Sequence, residues 1–337
     1  MKTFSTYAIA LTTLLLYSCS NHTTSPSYSI AVAVPQGTEE GTQIYLTDYD
    51  TDARIDSAVV AGDTLLLRGE INQPTLVRIK FPSARRTFIL EPGNISLDAD
   101  GVATGTQLND EFEEFGRQLE AIETIENDST VALLRNMCHQ ALSKENPVGY
   151  FALLQLNYYI DLNELDSLLT TYPYYSEFNR IKRNRSAKQQ ETKTAPGMPY
   201  ADFEVIASDS DTIRLSDYVK PDCYTLVDYW ASWCRYCIME IPNIKSLVDS
   251  YGNKGLNVVG VAVWDEKDAS EQSIAKHSVT WPQILNAQNV PTDLYGITGI
   301  PQIMLIGPDG KIVARNLQGE RLKAVVDSVM ADFTITK

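Results

Sequence analysis

The hydrophobic pattern of the chain changes along its length, and the first part predicts β-structure. From Tyr28 to about Ala103, short apolar runs alternate with turn residues such as Gly, Pro and Asn. Short strands that are broken at regular intervals by such residues are typical of a small antiparallel β-domain. The region carries no combination of side chains that indicates catalysis.

The pattern then changes to the period of an α-helix between Leu108 and about Lys188. Acidic side chains fill the positions between the apolar ones, and we interpret them as a solvated face. Further helices are predicted over 130–142 and after Asn146, a capping residue that is followed by Pro147. The first helix shows one apolar face at intervals of three and four, formed by Leu108, Phe112, Phe115, Leu119, Ile122 and Ile125.

A third pattern follows a polar, Pro/Gly-rich segment over 186–200, which predicts a domain boundary near 190–197. Strand-like apolar runs then alternate with helical patterns at about 237–250, 268–277 and 319–331. This alternation favours an α/β sheet that is covered by helices on its faces.

The N-terminus has the features of a signal peptide. Met1 and Lys2 precede an apolar run over 6–16 that is too short to span a bilayer comfortably. The residues Leu16-Tyr17-Ser18-Cys19 resemble a bacterial lipobox, which implies cleavage before Cys19 and lipidation of that cysteine. An ordinary secretory signal with an incidental cysteine is the alternative. We expect acyl chains on Cys19 to anchor a periplasm-facing envelope protein, since no acidic run follows this residue.

Composition excludes one broad class of function. The 337 residues include 28 Lys+Arg and 43 Asp+Glu, which give a formal net charge of -15. Nucleic-acid binding needs clustered basic surface, so a nucleic-acid partner is not expected.

The stretch D-Y-W-A-S-W-C-R-Y-C, residues 228–237, carries the main candidate chemistry. A buried strand ends just before Cys234 and an amphipathic helix follows, so Cys234 is predicted at a helix N-terminus. Backbone N–H groups and the helix dipole stabilise a thiolate at this position, which makes Cys234 the expected nucleophile. Cys237 would then attack the mixed disulfide. Packed thiols and half of a zinc site are the alternatives, but there is no second CxxC and the three histidines are isolated, so no metal is expected.

The segment Trp233-Cys234-Arg235-Tyr236-Cys237 resembles the active site of the thioredoxin superfamily, and of its TlpA-like envelope thiol:disulfide oxidoreductases in particular. Glu240 and Pro242 fit the same pattern. The resemblance covers about 196–337 and implies a thioredoxin fold that needs no cofactor. By the same resemblance Trp233, Arg235 and Tyr236 border a groove for the substrate.

Three further residues match the thioredoxin pattern. Ile300 and Pro301 match the cis-proline loop that faces the CxxC, where an exposed backbone pairs with a bound polypeptide. Asp228 matches the buried acid behind the disulfide, which implies a raised pKa and proton transfer with Cys237. A strand-end residue that reaches solvent is the alternative for Asp228, and a trans loop proline is the alternative for Pro301.

The β-region also resembles an uncharacterised domain found ahead of thioredoxin modules in Gram-negative lipoproteins, notably in F-I-L-E-P-G-N-I-S-L. The predicted division is therefore a signal peptide over 1–18, a β-sandwich-like domain over 19–105, a helical region over 106–190 and a thioredoxin-like domain over 191–337. Cys138 and Cys223 remain outside the CxxC. We expect free thiols there, with a bridge between them as the alternative.

The function predicted from these features is an envelope thiol:disulfide oxidoreductase that acts on protein thiols and disulfides. We favour a reductase that receives electrons from a membrane or periplasmic donor. A thiol peroxidase is one alternative, although Ala231 stands where peroxiredoxins carry Thr. The other is a binding or scaffold lipoprotein with a weakly active thioredoxin module.

Overall fold

The computed structural model of the chain describes residues 26–123, 129–208, 211–331 and 333. Contacts divide the chain into two compact units, the first ending at Ala121 and the second beginning at Ile122. The predicted boundaries at 105/106 and 190/191 divide the chain differently and stay predictions. The predicted signal peptide and Cys19 lie outside the described residues.

The first unit contains two four-stranded sheets. The strands are β1 Ser27–Ala33, β2 Gln43–Asp48, β3 Arg54–Val59, β4 Thr64–Glu70, β5 Thr75–Lys80, β6 Arg85–Leu90, β7 Gly93–Leu97 and β8 Ala103–Thr104. One sheet has the order β4-β1-β7-β8 and the other β3-β2-β5-β6. The antiparallel sheets predicted for this region are confirmed, but β1 and β7 pair in parallel, which the local pattern does not predict.

Alternating side chains of both sheets form one core in this unit. Ile30 and Val32 of β1 are buried together with Leu46 of β2 and Val77 of β5, since every second residue of a strand faces the same side. Helix α1, Gln107–Glu123, follows β8. The buried Asn109 in its first turn accepts a hydrogen bond from Ile89 N at 2.9 Å and donates one to Ile89 O at 2.7 Å, which ties the helix to β6.

The second unit begins with four helices, of which the first two correspond to the helices predicted over 130–142 and after Asn146. They are α2 Ser129–Leu142, α3 Pro147–Leu156, α4 Leu162–Thr171 and α5 Asn179–Lys193, with a 3₁₀ turn at Pro173–Glu177 before α5. Asn146 caps α3 by accepting a hydrogen bond from Gly149 N at 3.0 Å. Tyr175 is fully buried, and its hydroxyl donates to the Leu142 carbonyl at 2.9 Å, so the 3₁₀ turn is held against the end of α2.

The rest of the second unit is an α/β domain, as predicted. Its elements are β9 Glu204–Ser208, β10 Asp211–Arg214, β11 Tyr224–Trp230, α6 Arg235–Tyr251, β12 Leu256–Ala262, α7 Lys267–Lys276, β13 Gln283–Ile284, α8 Val290–Tyr295, β14 Gln302–Ile306, β15 Ile312–Ala314 and α9 Gly319–Met330, with 3₁₀ turns at Leu215–Asp217 and Gly252–Lys254. The five-stranded sheet has the order β13-β12-β11-β14-β15, and β9 pairs with β10. Strand β11 is parallel to β12 and antiparallel to β14.

Successive residues of β11 face opposite sides of the sheet and build two cores. Leu226 packs with Ile244 of α6 and Val326 of α9, whereas Val227 packs with Tyr295 of α8 on the other side. Asp228, one position further, therefore faces the same side as Leu226, toward the layer that contains α6. This alternation decides which side chains of β11 lie behind the CxxC.

The segment predicted as a domain boundary is bound to the edge of the sheet. Gly197 N donates to Ile312 O at 2.7 Å, Ile312 N donates to Met198 O at 2.8 Å, and Tyr200 N donates to Gly310 O at 2.9 Å. The Pro/Gly-rich composition predicts a segment without regular structure. In the structure, backbone groups of this segment instead form hydrogen bonds with backbone groups of the β14–β15 hairpin.

Among the described residues, every helix is either too short or too polar to cross a lipid bilayer.

Candidate active site

The CxxC lies at the junction of strand β11 and helix α6. Cys234 is the N-cap of α6, and its sulfur accepts a hydrogen bond from the backbone N–H of Cys237 at 3.2 Å. The two sulfurs form a disulfide with a Cα–Cα distance of 5.3 Å. Cys234 keeps 6% of its surface exposed and Cys237 only 1%, so Cys234 is the sulfur that a partner reaches first.

The loop before strand β14 faces the same sulfur. The Ile300–Pro301 peptide bond is cis, and the carbonyl oxygen of Ile300 lies 3.7 Å from the sulfur of Cys234. Gln318 donates a hydrogen bond from Nε2 to the carbonyl oxygen of Pro301 at 3.0 Å, which fixes the other side of the proline. The structure therefore brings the Ile300–Pro301 pair close to Cys234, which lies 66 positions from Ile300 in the sequence.

Asp228 is buried on the α6 side of the sheet. Its side chain is 3% exposed, and Oδ1 has no hydrogen-bond partner among the described residues. Burial raises the pKa of Asp228 to about 7, and the negative charge of Glu240 adds to the rise. Glu240 itself accepts hydrogen bonds from Gly319 N, at 3.0 Å to one oxygen and 3.1 Å to the other, at the N-terminus of α9. Near neutral pH, Asp228 can therefore exchange a proton, while Glu240 holds α9 beside α6.

Asp265 is a buried residue of the site that the sequence analysis did not identify. Its Oδ2 accepts hydrogen bonds from Ser232 N at 2.7 Å and from the Ser270 hydroxyl at 2.7 Å. Its Oδ1 accepts from the Ser232 hydroxyl at 2.9 Å and from Glu266 N at 3.0 Å. The carboxylate thus holds the loop that precedes Cys234. The sequence contains one signal for this role of Asp265. The residue follows strand β12, whose carboxyl end lies beside that of β11 in a parallel pair.

Exposed aromatic and apolar side chains surround the disulfide. Trp233 is 61% exposed, and its indole Nε1 donates to the Trp264 carbonyl at 2.9 Å. Tyr236 and Arg235 are also exposed, and so is Met239, one turn into α6, which the sequence analysis did not select. A rim of this composition suits contact with a polypeptide, because aromatic, Met and Arg side chains are enriched in protein interfaces.

Cys138 and Cys223, the described cysteines outside the CxxC, are free thiols, as expected. Cys138 lies in α2, where burial raises its pKa to about 12. Cys223 is partly exposed, directly before β11. The alternative of a bridge between them is wrong. Cys19, the predicted lipidation site, lies outside the described residues.

Comparison with known proteins agrees with this fold. Residues 196–315 match the AhpC/TSA family, and residues 28–112 match a domain of unknown function, DUF4369. The chain is 25% identical over 143 residues to thiol-disulfide oxidoreductase ResA of Geobacillus thermodenitrificans, covering 42% of this chain and 81% of the relative. It is 26% identical over 117 residues to ResA of Bacillus subtilis strain 168, covering 35% and 64%.

A solved structure with similarity to the C-terminal part is the thioredoxin domain of a thiol-disulfide oxidoreductase from Bacteroides vulgatus. It is 27% identical, covers 40% of this chain and 98% of its own, and has a TM-score of 0.36. The thioredoxin fold predicted for the C-terminal part of the chain is confirmed by the α/β domain and by the match of residues 196–315 to the AhpC/TSA family. The predicted enzyme class, a thiol-disulfide oxidoreductase with relatives of the ResA type, is confirmed at this level. The match to DUF4369 agrees with the predicted uncharacterised β-domain.

We expect Asp265→Asn to destabilise the loop before Cys234. An amide in place of the carboxylate offers one acceptor oxygen where two now accept four hydrogen bonds. The free energy of unfolding should fall by about 1–3 kcal/mol, measured by urea denaturation of the oxidised protein. Asp249→Asn, an exposed carboxylate on α6, is the matched control and should change stability by less than about 0.5 kcal/mol. Equal effects of the two variants would contradict the role of Asp265.

The buried carboxyl of Asp228 predicts a pH-dependent stability. Because its pKa is raised from 3.8 to about 7, the fold favours the neutral form, and stability should fall as pH rises from about 4 through about 7. Asp228→Asn removes the titration and should stabilise the oxidised protein at about pH 8 by up to roughly 4 kcal/mol, with little effect near pH 4. Urea denaturation at several pH values measures this.

The exposed Asp222, just before the same strand, supplies the control for this experiment. Asp222→Asn should leave the pH dependence of stability unchanged. A stability difference between wild type and Asp228→Asn that stays constant from pH 4 to pH 8 would contradict the proposed neutral form of Asp228.

Proposed function

We propose that this chain is an envelope thiol:disulfide reductase that acts on disulfides in protein substrates. The observation that carries the proposal is the difference between the two sulfurs. Cys234 caps α6, accepts a backbone N–H and keeps 6% of its surface exposed, whereas Cys237, in the first turn of the same helix, keeps only 1%. A helix N-terminus stabilises the thiolate, which is the species that attacks a disulfide.

The proposed reaction begins with the reduced dithiol. The thiolate of Cys234 attacks one sulfur of the substrate disulfide, forms a mixed disulfide and releases the other substrate sulfur as a thiolate. Cys237 then loses its proton and attacks the sulfur of Cys234. The second substrate thiol leaves, so the substrate gains two electrons and two protons while the enzyme acquires the Cys234–Cys237 disulfide. An electron donor must afterwards reduce this disulfide.

We assign proton transfer with Cys237 to Asp228. Its pKa of about 7 allows it to accept and return a proton near neutral pH. The assignment is supported by the alternation of β11, which turns Asp228 toward α6, the helix that carries Cys237. The raised pKa results mainly from burial, so access of water to this carboxyl would weaken the effect.

We assign substrate docking to the surface around the cis-proline. The Ile300 carbonyl lies beside Cys234, and the exposed Trp233, Arg235 and Tyr236 border the disulfide on the α6 side. An extended substrate segment could pair its backbone with the loop at Pro301, as a strand pairs with a sheet edge. This assignment explains why the attacking sulfur opens onto apolar and cationic side chains in a protein of net charge -15.

Location and electron supply follow from the N-terminal sequence and from the expected chemistry. We propose that Cys19 carries the lipid anchor and that the chain faces the periplasm, supported by the signal-peptide pattern and the lipobox-like Leu16-Tyr17-Ser18-Cys19. The donor would be a membrane or periplasmic dithiol protein. Disulfides persist in this compartment, so a reductase there needs such a supply.

The proposed direction of electron flow rests on charge near the disulfide. Asp228 on β11 and Glu240 on α6 are both carboxyl groups near the CxxC, and the charge of Glu240 helps to raise the pKa of Asp228. Negative charge disfavours a second thiolate and therefore favours the disulfide over the dithiol. A dithiol that readily becomes a disulfide is a reductant toward its substrates.

Cysteine variants test the exchange reaction. In an insulin-reduction assay with dithiothreitol, Cys234→Ser should lower the rate by about 100-fold or more, because the attacking thiolate is lost. Cys223→Ser is the matched control, since this free cysteine precedes the same strand, and it should retain the wild-type rate. Cys237→Ala should accumulate mixed disulfides that non-reducing gels detect. Wild-type activity in Cys234→Ser would contradict the proposal.

The same proteins distinguish the two alternative functions. Peroxide consumption without insulin reduction would favour a thiol peroxidase, although Ala231 has no hydroxyl and the neighbouring Ser232 hydroxyl is bound to Asp265. Stable capture of one partner with slow exchange would favour a scaffold.

A redox titration tests the direction of electron flow. We expect a midpoint potential closer to that of thioredoxin, about −270 mV, than to that of DsbA, about −120 mV. Equilibration with thiol/disulfide buffers of known potential, followed by alkylation of free thiols, measures it. A value near −120 mV would replace the proposed reductase with an oxidase while leaving the exchange chemistry intact.

A further inference from the structure

A polar cavity of about 190 Å³ lies beside the loop that leads to the cis-proline. Its wall combines helix α5, the chain after α3, the loop 296–299 and the chain after β15. The side chains that matter for its chemistry are Asn157, Asn184, Lys188, Glu191 and Arg315. The cavity has room for several water molecules or one small polar ligand.

Arg315 is a buried cation on this wall. It is 5% exposed, and its two Nη atoms donate to neutral oxygens at the ends of α5 and α8. The acceptors are Glu191 O at 3.2 Å, Thr194 O at 3.2 Å, Thr194 Oγ1 at 2.7 Å and Tyr295 O at 2.7 Å. Nε has no partner among the described residues. Carbonyls at helix C-termini compensate part of the charge, but one N–H of the guanidinium is left without an acceptor.

Two more polar groups on the wall are also incompletely compensated by the protein. Lys188 is partly buried, and burial lowers its pKa although its Nζ donates to the Ile160 carbonyl at 2.6 Å. Asn157 Oδ1 is buried without a hydrogen-bond partner among the described residues. The charged side chains of the wall are Lys188, Arg315 and Glu191, which leaves one positive charge uncompensated.

We propose that this cavity binds a small oxyanion of the carboxylate or phosphate type. A guanidinium that is almost fully buried is stabilised by a nearby counter-charge, and an anion in the cavity would supply one. Lys188 adds a second cation on the same wall, which the amide side chains of Asn157 and Asn184 also line. The side chains that line this cavity therefore match the ligand in charge.

Two of the residues that line the cavity directly precede the residue that faces the reactive sulfur. Thr298 and Gly299 line it, and the next residue, Ile300, places its carbonyl 3.7 Å from the sulfur of Cys234. A ligand bound at Thr298–Gly299 would contact the loop that carries the cis-proline. The binding proposal itself does not depend on the redox proposal, since the ligand is recognised by α5 and Arg315.

Calorimetric titration of the oxidised full-length protein tests the site. The probes are inorganic phosphate and succinate, with chloride at matched ionic strength as the control. We expect saturable 1:1 binding of phosphate or succinate with a dissociation constant of about 1 mM or tighter, and none of chloride. Binding of phosphate alone would indicate a phosphate-type ligand, and binding of succinate alone would indicate a carboxylate of a metabolite or a polypeptide.

Variants of α5 show whether the cavity is responsible. Lys188→Gln removes a cation from the wall, and Asn184→Asp adds a negative charge at nearly constant shape, so each should weaken binding by about tenfold. Arg183→Gln is the matched control, because Arg183 is an exposed cation on the same helix outside the cavity, and it should leave affinity unchanged within about twofold. No saturable binding at about 20 mM, or equal weakening by Lys188→Gln and Arg183→Gln, would overturn the proposal.

Discussion

The position at which helix α6 begins is the constraint on which the active site depends. The sulfur of Cys234 occupies the cap of this helix and accepts the N–H of Cys237. A start one residue earlier or later would direct that N–H, and the positive end of the helix dipole, away from the sulfur. The surrounding residues preserve this position. Strand β11 delivers the chain to it, Asp265 holds the loop before it, and the Ile300 carbonyl limits the space in front of it.

Two buried aspartates near the disulfide show how the local environment determines the role of the same type of side chain. Asp265 receives four hydrogen bonds and acts as a fixed acceptor for the backbone and hydroxyl groups around it. Asp228 is buried to a similar degree, but its Oδ1 receives no hydrogen bond among the described residues. Burial without such compensation makes ionisation costly, so this carboxyl can change its protonation state at physiological pH. We infer that the first aspartate maintains geometry and the second can transfer protons.

Local sequence predicted the features that depend on local interactions. The CxxC, the helix that follows it, the cap at Asn146 and the α/β alternation are determined by neighbouring residues, and the structure contains them. Pro301 was found through its resemblance to a known motif. Asp265 and Arg315 were missed because their roles depend on partners 33 and up to 124 positions away. The parallel pairing of β1 with β7 was missed for the same reason, since strand order follows from packing of the whole unit.

Hydrogen bonds of the buried Arg315 cross the N-terminal limit of the family match. The match to the AhpC/TSA family begins at residue 196, yet Arg315, inside that match, takes acceptors from Glu191 and Thr194 at the end of α5. A fragment that begins at residue 196 would keep both cysteines of the CxxC. It would lose the acceptors on Glu191 and Thr194 and leave the guanidinium of Arg315 buried with fewer hydrogen-bond acceptors. The family match therefore begins after residues that are hydrogen-bonded to a side chain inside it. We expect the final turn of α5 to stabilise the domain that carries the CxxC.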